Sequence, residues 1–114
     1  MSEIEVDIDA LEMTELRVLS ALQTGQNPGA VSSVLKLRNS EIRQAVTRLA
    51  ADVIGHDALA VEPGRPFYRL NHEPAIPEDM LTVMPEYLNG RAYTIFGGSS
   101  EIQREIIAKL MLGL

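Results

Sequence analysis

The stretch TIFGGSSEIQREIIAKLMLGL, from Thr94 to Leu114, places two glycines and two serines directly before a segment of helical periodicity. Its residues SEIQ, at 100–103, fit a capping box in which Ser100 accepts from the Gln103 amide and Gln103 reaches back. A helix that begins there directs unpaired amides and its positive dipole end toward Gly98. Because glycine has no Cβ, a flat ring or a thioester could approach this backbone. The junction predicts either an ordinary capped helix after a glycine turn or a cradle for an anionic or planar ligand.

Apolar residues recur at three- and four-residue spacing in the remainder of the chain, which is typical of amphipathic helices. The predicted helices lie at about 3–24, 30–54, 78–92 and 100–112. The short TGQNPG link at 24–29 favours an antiparallel hairpin of the first two helices. Periodicity is absent from about 60 to 77, where four of the six prolines lie, and a loop is expected there. We predict an all-α, up-and-down helical bundle in one domain over residues 1–114.

Composition excludes several classes of protein. The formal net charge of −6 opposes binding to a phosphate backbone, so no nucleic-acid partner is expected. Cysteine is absent, which excludes disulfides and thiolate metal sites. The histidines, His56 and His72, have no partner at metal-ligand spacing, and no metal site is predicted. No apolar run approaches the roughly 20 residues of a membrane span, and the N-terminal residues do not resemble a signal peptide. A cytoplasmic protein without a membrane span is expected.

Several blocks of sequence closely resemble the C-terminal signature of the acyl-CoA dehydrogenases, in particular the bacterial branch with a TIYGGS-x-EIQR-like motif and a terminal LGL. The blocks that carry the resemblance are Arg91, residues 94–104, 106–108 and 112–114, and the upstream TELR (14–17), NPG (27–29) and LKLR (35–38). The resemblance covers nearly all of this chain but only the last part of a family member, without its amino-terminal helical domain and middle β-domain. It implies a C-terminal fragment or a truncated gene product.

The resemblance implies an FAD enzyme that removes the α and β hydrogens of an acyl-CoA thioester and passes the electrons to an electron-transfer flavoprotein. A base takes the α proton while the flavin accepts the β hydride. In some branches the base is a glutamate at the position of Gly97, and glycine has no proton acceptor. The catalytic residue is therefore unassigned, and this chain alone is expected to be inactive. Glu101 is the nearest carboxylate in the motif, but a glutamate in a first helical turn more often stabilises the dipole.

The resemblance also implies binding residues, position by position. The implied substrate-binding residues are Phe96, Gly97 and Gly98, and the implied cofactor-binding residues are Ser99, Ser100, Glu101, Asp52 and Gly55. Ser100 is the expected helix cap. Asp52 stands where the family usually has a glutamine before paired glycines, of which Gly55 remains. A carboxylate accepts but does not donate hydrogen bonds, so this position departs from the family's flavin contact across a dimer interface. Acyl chain length, and a fatty versus a steroid substrate, stay open.

Two other classes of function stay open. The first is a non-catalytic partner subunit or helical oligomerisation module derived from the same family, which Gly97 and Asp52 would suit. Apolar stripes that pack against other segments in the family would favour a homo-oligomer or a complex with a related subunit. The second is a small helix-turn-helix regulator, which the net charge of −6 and the lack of a basic stripe oppose.

One ion pair is predicted from position alone. Glu15 and Arg38 each interrupt an apolar stripe, and they lie at similar distances from the centre of the link near Asn27. In an antiparallel hairpin they would face each other and form a bidentate pair. The alternative is that both lie at the edges of their stripes and reach water separately.

Overall fold

The computed structural model describes residues 2–59 and 76–113, which contain helices and turns and no strand. The α-helices are α1 (Ser2–Gln23), α2 (Val31–Ile54), α3 (Val83–Asn89) and α4 (Ser100–Ile107). Short 3₁₀ helices cover Gly55–Leu59, Glu78–Met80 and Gly90–Thr94, and α4 continues as a π-helical turn over Ala108–Leu112. The predicted all-α fold class is confirmed. Most of the predicted loop at 60–77 lies outside the described residues.

The central element is α2, because α1, α3, α4 and the 3₁₀ helix Gly90–Thr94 all pack against it. The link between α1 and α2 is a structured turn, in which Asn27 Oδ1 accepts from the Gly29 amide at 2.9 Å. Gly25 and Gly29 adopt positive φ angles of 77° and 58°, a conformation that favours glycine. In the part of the chain that the structure describes, no helix is both long and apolar enough to cross a membrane.

The described residues bury little apolar surface. The buried apolar residues among them are two alanines and one isoleucine: Ala30, Ala58 and Ile42. Six large apolar residues of α1 remain between 42% and 66% exposed; they are Val6, Ile8, Met13, Leu16, Leu19 and Leu22. The radius of gyration is 18.5 Å, against about 13 Å for a compact domain of this length. The described residues therefore leave most of these apolar faces without cover.

The predicted pair between Glu15 and Arg38 is wrong. Arg38 Nη2 instead lies 2.7 Å from Asp7 Oδ1, and Arg38 Nη1 lies 2.8 Å from Glu41 Oε2. The second oxygen of Glu41 is 3.4 Å from Arg104 Nη2, so a chain of ion pairs connects α1, α2 and α4.

The register of the hairpin explains the error. Asp7 precedes Glu15 by about 12 Å along α1, at a rise of 1.5 Å per residue. The prediction assumed a hairpin symmetric about Asn27, whereas the link forms its own turn by the hydrogen bond from the Gly29 amide. Such a turn does not impose the symmetric register. Helix packing instead brings Asp7 within reach of the long Arg38 side chain.

Replacing Asp7 by asparagine should lower the free energy of unfolding by no more than about 1 kcal/mol, because exposed ion pairs contribute about 0–1 kcal/mol. The Arg38 and Asp7 side chains are 45% and 47% exposed. Urea unfolding measures the effect, which should shrink in about 1 M NaCl, where the Debye length is about 3 Å. Glu15→Gln is the matched control and should change little. A loss of about 3 kcal/mol for Glu15→Gln, the size expected for a buried pair, would contradict the observed pairing.

Candidate functional site

One face of α2 carries polar side chains rather than a second apolar stripe. Its residues, which form the polar stripe of α2, are Ser33, Lys36, Ser40, Gln44 and Thr47. They follow one another at three- or four-residue spacing, which places them on one face of the helix. Ser33 and Ser40 are buried, and the Ser40 hydroxyl donates to Lys36 O at 2.8 Å. This face of α2 meets the segment that connects α3 with α4.

Lys36 binds the segment near the two glycines. Its Nζ donates to Gly98 O at 2.6 Å and to Tyr93 O at 3.3 Å. Both acceptors are backbone carbonyls, and they lie on either side of residues 94–97. A single ammonium group therefore fastens both ends of this short stretch to α2.

A second set of hydrogen bonds fastens the start of the same segment. Gln44 Nε2 donates to Gly90 O at 3.1 Å and to Arg91 O at 3.3 Å. In return, Arg91 Nη2 donates to Gln44 O at 3.2 Å and to Thr47 Oγ1 at 3.4 Å. The Arg91 guanidinium also lies over the Tyr87 ring, 4.4 Å from its centroid. The polar stripe of α2 thus holds residues 90–98 chiefly through main-chain oxygens.

Both glycines of the turn adopt backbone conformations that favour glycine, and they differ in the space beside them. Both have positive φ, 64° at Gly97 and 91° at Gly98, which side chains rarely tolerate. A Cβ at Gly98 would lie 2.6 Å from Gln103 Nε2, whereas a Cβ at Gly97 would meet nothing within 4 Å. Gln103 Nε2 donates to Gly97 O at 3.4 Å. Gly98 is therefore required by its backbone conformation, and a Cβ there would also displace the Gln103 amide, while Gly97 borders an open region that a ligand or a side chain could occupy.

The helix cap is Ser99, and the prediction of Ser100 is wrong. Ser99 has extended backbone angles (φ −65°, ψ 159°), and its Oγ accepts from the Ile102 amide at 3.5 Å. Ser100 is the first helical residue; it is buried, and its hydroxyl donates to Thr94 O at 3.4 Å. Gln103 donates to Gly97 O instead of reaching back to the cap. Two adjacent serines satisfy the same capping preference, so only the backbone conformation decides which one caps.

Glu101 is an exposed carboxylate in the first turn of α4. Its own backbone amide and the Ser99 hydroxyl hydrogen-bond to it, and these contacts lower the pKa of Glu101 below its ordinary value. The positive charges of Arg104 and Lys36 lower this pKa further. A carboxylate stabilised in its ionised form at a helix start is a weak proton acceptor, which favours the interpretation of Glu101 as a dipole-stabilising residue.

The implied binding residues fall into two groups. Six of them, Phe96 to Glu101, are consecutive and form the turn and the start of α4. Asp52 and Gly55 lie at the far end of α2, about 24 Å along the helix from Lys36 at 1.5 Å per residue. The Asp52 carboxylate is 3.8 Å from Arg48 Nε, and both side chains are mostly exposed. A single chain therefore does not bring Asp52 or Gly55 to the glycine turn.

A cleft of about 160 Å³ opens beside the turn. Its lining residues are Lys36, Asn39, Ser40, Arg43, Tyr93 and Phe96. The Arg43 guanidinium lies 4.2 Å from the Tyr93 ring centroid and donates to the Tyr93 hydroxyl at 3.2 Å. Phe96 is 60% exposed at the mouth of this cleft. Sequence reasoning did not identify Lys36 or Gln44 as contributors, although the regular spacing of polar residues on α2 was the signal that could have found them.

The comparisons with known proteins agree on one family. The sequence model described as "Acyl-CoA dehydrogenase, C-terminal domain" matches residues 1–112. The chain is 33% identical over 109 residues to a protein named acyl-CoA dehydrogenase IpdE1 from Mycolicibacterium smegmatis. This similarity covers 94% of the chain and 22% of the relative, so the chain spans about a fifth of that relative's length. No solved structure matches the chain significantly.

Gly98→Ala should destabilise the protein by about 2–3 kcal/mol. The left-handed backbone costs about 1–2 kcal/mol for a residue with a Cβ, and displacement of Gln103 loses a hydrogen bond of about 1 kcal/mol. Gly97→Ala is the matched control and should cost only the backbone term. Chemical unfolding of Gly98→Ala, Gln103→Ala and the double variant forms a double-mutant cycle. The two changes should be less than additive, and strict additivity would contradict the contact.

Proposed function

The chain belongs to the acyl-CoA dehydrogenase family, and from that premise we propose that it forms one wall of a site for FAD and an acyl-CoA thioester. The observation that supports this most is the Gly97–Gly98 turn, which is held from behind by Lys36 and Gln103 and is open beside Gly97. When bound, FAD supplies an acceptor for the β hydride of the thioester.

The residues of the turn fit such ligands in their chemistry. The absence of a Cβ at Gly97 permits close approach of a planar group to the backbone. The start of α4 offers its positive dipole end, which is suited to electron-rich atoms of a flavin. We assign Phe96, Gly97 and Gly98 to the thioester side and Ser99 and Glu101 to FAD. Ser100 supports them from behind, because it is buried and bonded to Thr94 O.

Asp52 and Gly55 fit less well. The Asp52 carboxylate can only accept hydrogen bonds, and Arg48 is its ion-pair partner. The distance of about 24 Å along α2 means that these residues would reach an FAD bound at the turn only from a second copy of the chain. Their proposed contact with FAD therefore depends on the proposed oligomer.

The turn lacks a base of its own among the described residues. Glu101 is bonded to its own amide and to the Ser99 hydroxyl. Glu41 pairs with Arg38 and Arg104. Removal of the α proton therefore requires a carboxylate from another segment, and we propose that the chain acts as part of a longer or assembled enzyme. In that enzyme the electrons would pass on to an electron-transfer flavoprotein.

The second candidate is a non-catalytic partner subunit or oligomerisation module of the same family. The glycine at position 97 and the exposed apolar face of α1 favour it. The two candidates differ in one observable: an enzyme requires a carboxylate on an earlier helix of the parent chain, and a non-catalytic subunit does not.

The purified chain should be colourless and should bind FAD weakly or not at all, because it supplies one wall of the site. Titration with FAD and with an acyl-CoA, followed by amide chemical shifts in NMR spectra, measures any weak contact. Shifts should centre on residues 96–101 and should be reduced in Gly98→Ala, while Asp7→Asn serves as the matched control. A stoichiometric yellow preparation, or shifts centred on another face, would contradict the proposal.

The chain should form a dimer or a higher oligomer. The exposed apolar face of α1 exceeds what a soluble monomer ordinarily leaves uncovered. Light scattering coupled to size exclusion measures the molar mass, and Leu16→Glu with Leu19→Glu should shift it toward the monomer. Asp9→Lys, on the same helix, is a control for a change of charge alone. A monomer at high protein concentration would contradict the prediction.

A further inference from the structure

We propose that Lys36 is a positioning residue, whose ammonium group sets the conformation of the Gly97–Gly98 turn relative to α2. The inference rests on the proposed function only in stating what the turn faces. Its structural content is independent of any ligand: without this ammonium group, the turn should sample other conformations while the helices remain folded.

The geometry around the Lys36 ammonium supports a specific role. Its two acceptors, Gly98 O and Tyr93 O, are backbone oxygens from one short stretch, and the bond to Gly98 O is 2.6 Å long. A charged donor at this distance makes one of the stronger kinds of hydrogen bond in proteins. The Lys36 side chain is half-buried rather than extended into solvent. A lysine that served only solubility would direct its ammonium group to water.

The flexibility of the turn explains why it needs a contact that fixes its position relative to α2. Two consecutive glycines have more backbone freedom than any other pair of residues. The carbonyls of Gly97 and Thr94 are bonded by Gln103 and Ser100, but both of these donors belong to α4, which directly follows the turn. Among the described hydrogen bonds to residues 94–98, the bond from Lys36 to Gly98 O is the one that comes from α2. Lys36 therefore fixes where the turn sits with respect to the central helix.

Gln44 provides a matched comparison on the same face of α2. It also donates to two backbone carbonyls, those of Gly90 and Arg91, at the other end of the segment. Gln44→Ala should loosen residues 90–92 and leave the glycine turn unchanged. Removal of the Lys36 ammonium group should do the reverse. This contrast separates a local role of Lys36 from a general stabilisation of the fold.

The absence of cysteine permits a chemical rescue. Lys36→Cys introduces a unique thiol, which 2-bromoethylamine converts into a lysine analogue with sulfur in place of one methylene group. Iodoacetamide converts the same thiol into a neutral amide, which is the matched control. Backbone 15N order parameters of residues 97–99, measured by NMR relaxation, report the mobility of the turn. They should fall from about 0.85, typical of rigid backbone, to below about 0.6 in Lys36→Cys and in the neutral derivative, and aminoethylation should restore them.

Three outcomes would overturn the proposal. The order parameters of the turn could be unchanged in Lys36→Cys, they could fail to recover after aminoethylation, or they could fall equally in α1 and α4, which indicates general destabilisation. If Lys36→Cys does not fold, the unmodified protein provides the test, because Lys36 and Lys109 are its lysines. Lys109 has a side chain 63% exposed and serves as the reference for trace acetylation followed by mass spectrometry. Lys36 should react several-fold more slowly, and equal reactivity would overturn the proposal.

The experiment contains no flavin and no acyl-CoA. A negative result at the turn would not contradict the proposed FAD and thioester site, because the ligand titration tests that site independently. An unsuccessful titration would likewise leave the role of Lys36 intact if the order parameters of the turn behave as expected. The two proposals can therefore fail separately.

Discussion

Side chains of α2 hold the backbone of residues 90–98, and the geometry of the candidate site depends on this constraint. Apolar burial contributes little in the described residues, since Ile42 is the one large apolar side chain among them that is buried. Lys36 and Gln44 instead engage main-chain oxygens at both ends of the segment. Hydrogen bonds of this kind contribute about 0.5–1.5 kcal/mol each, and charged ones about 1.5–3 kcal/mol. In the role proposed for Lys36, these bonds also set the orientation of the turn relative to α2.

Much of the fold could be predicted from the sequence, because apolar spacing is a local property of a helix. The hairpin register could not, because it depends on the conformation of the link and on how two surfaces meet. Arg38 illustrates this: position along the chain indicated Glu15, while packing brought Asp7 into reach. The apolar faces were predicted as helix faces, yet residues such as Val53 are 77% exposed. Periodicity indicates which face is apolar, and it does not indicate what covers that face.

The candidate site shows the same division. The glycines, serines and first-turn glutamate of the turn were recognisable as a unit because they are consecutive. The cap was misplaced by one residue, since Ser99 and Ser100 differ only in backbone conformation. Lys36 lies 62 residues before Gly98 in the chain, and the sequence indicates this contact only indirectly, through the regular spacing of polar residues on α2. Apolar periodicity alone does not reveal a polar helix face of this kind.

Because the bonds from Lys36 and Gln103 end on main-chain oxygens, a side chain at position 97 would strain the backbone there but would not remove the contacts that hold the turn. Any residue offers the same carbonyl, so a substitution at position 97 removes no acceptor of Lys36 or Gln103, and the space beside it is open. The hydrogen bonds that hold the turn can thus stay the same while the residue at position 97 changes. An ancestor could gain or lose a reactive group at that one position without rebuilding its support. Selection would then act on α2 to preserve shape and on the turn to alter reactivity, as two separable traits of one short sequence.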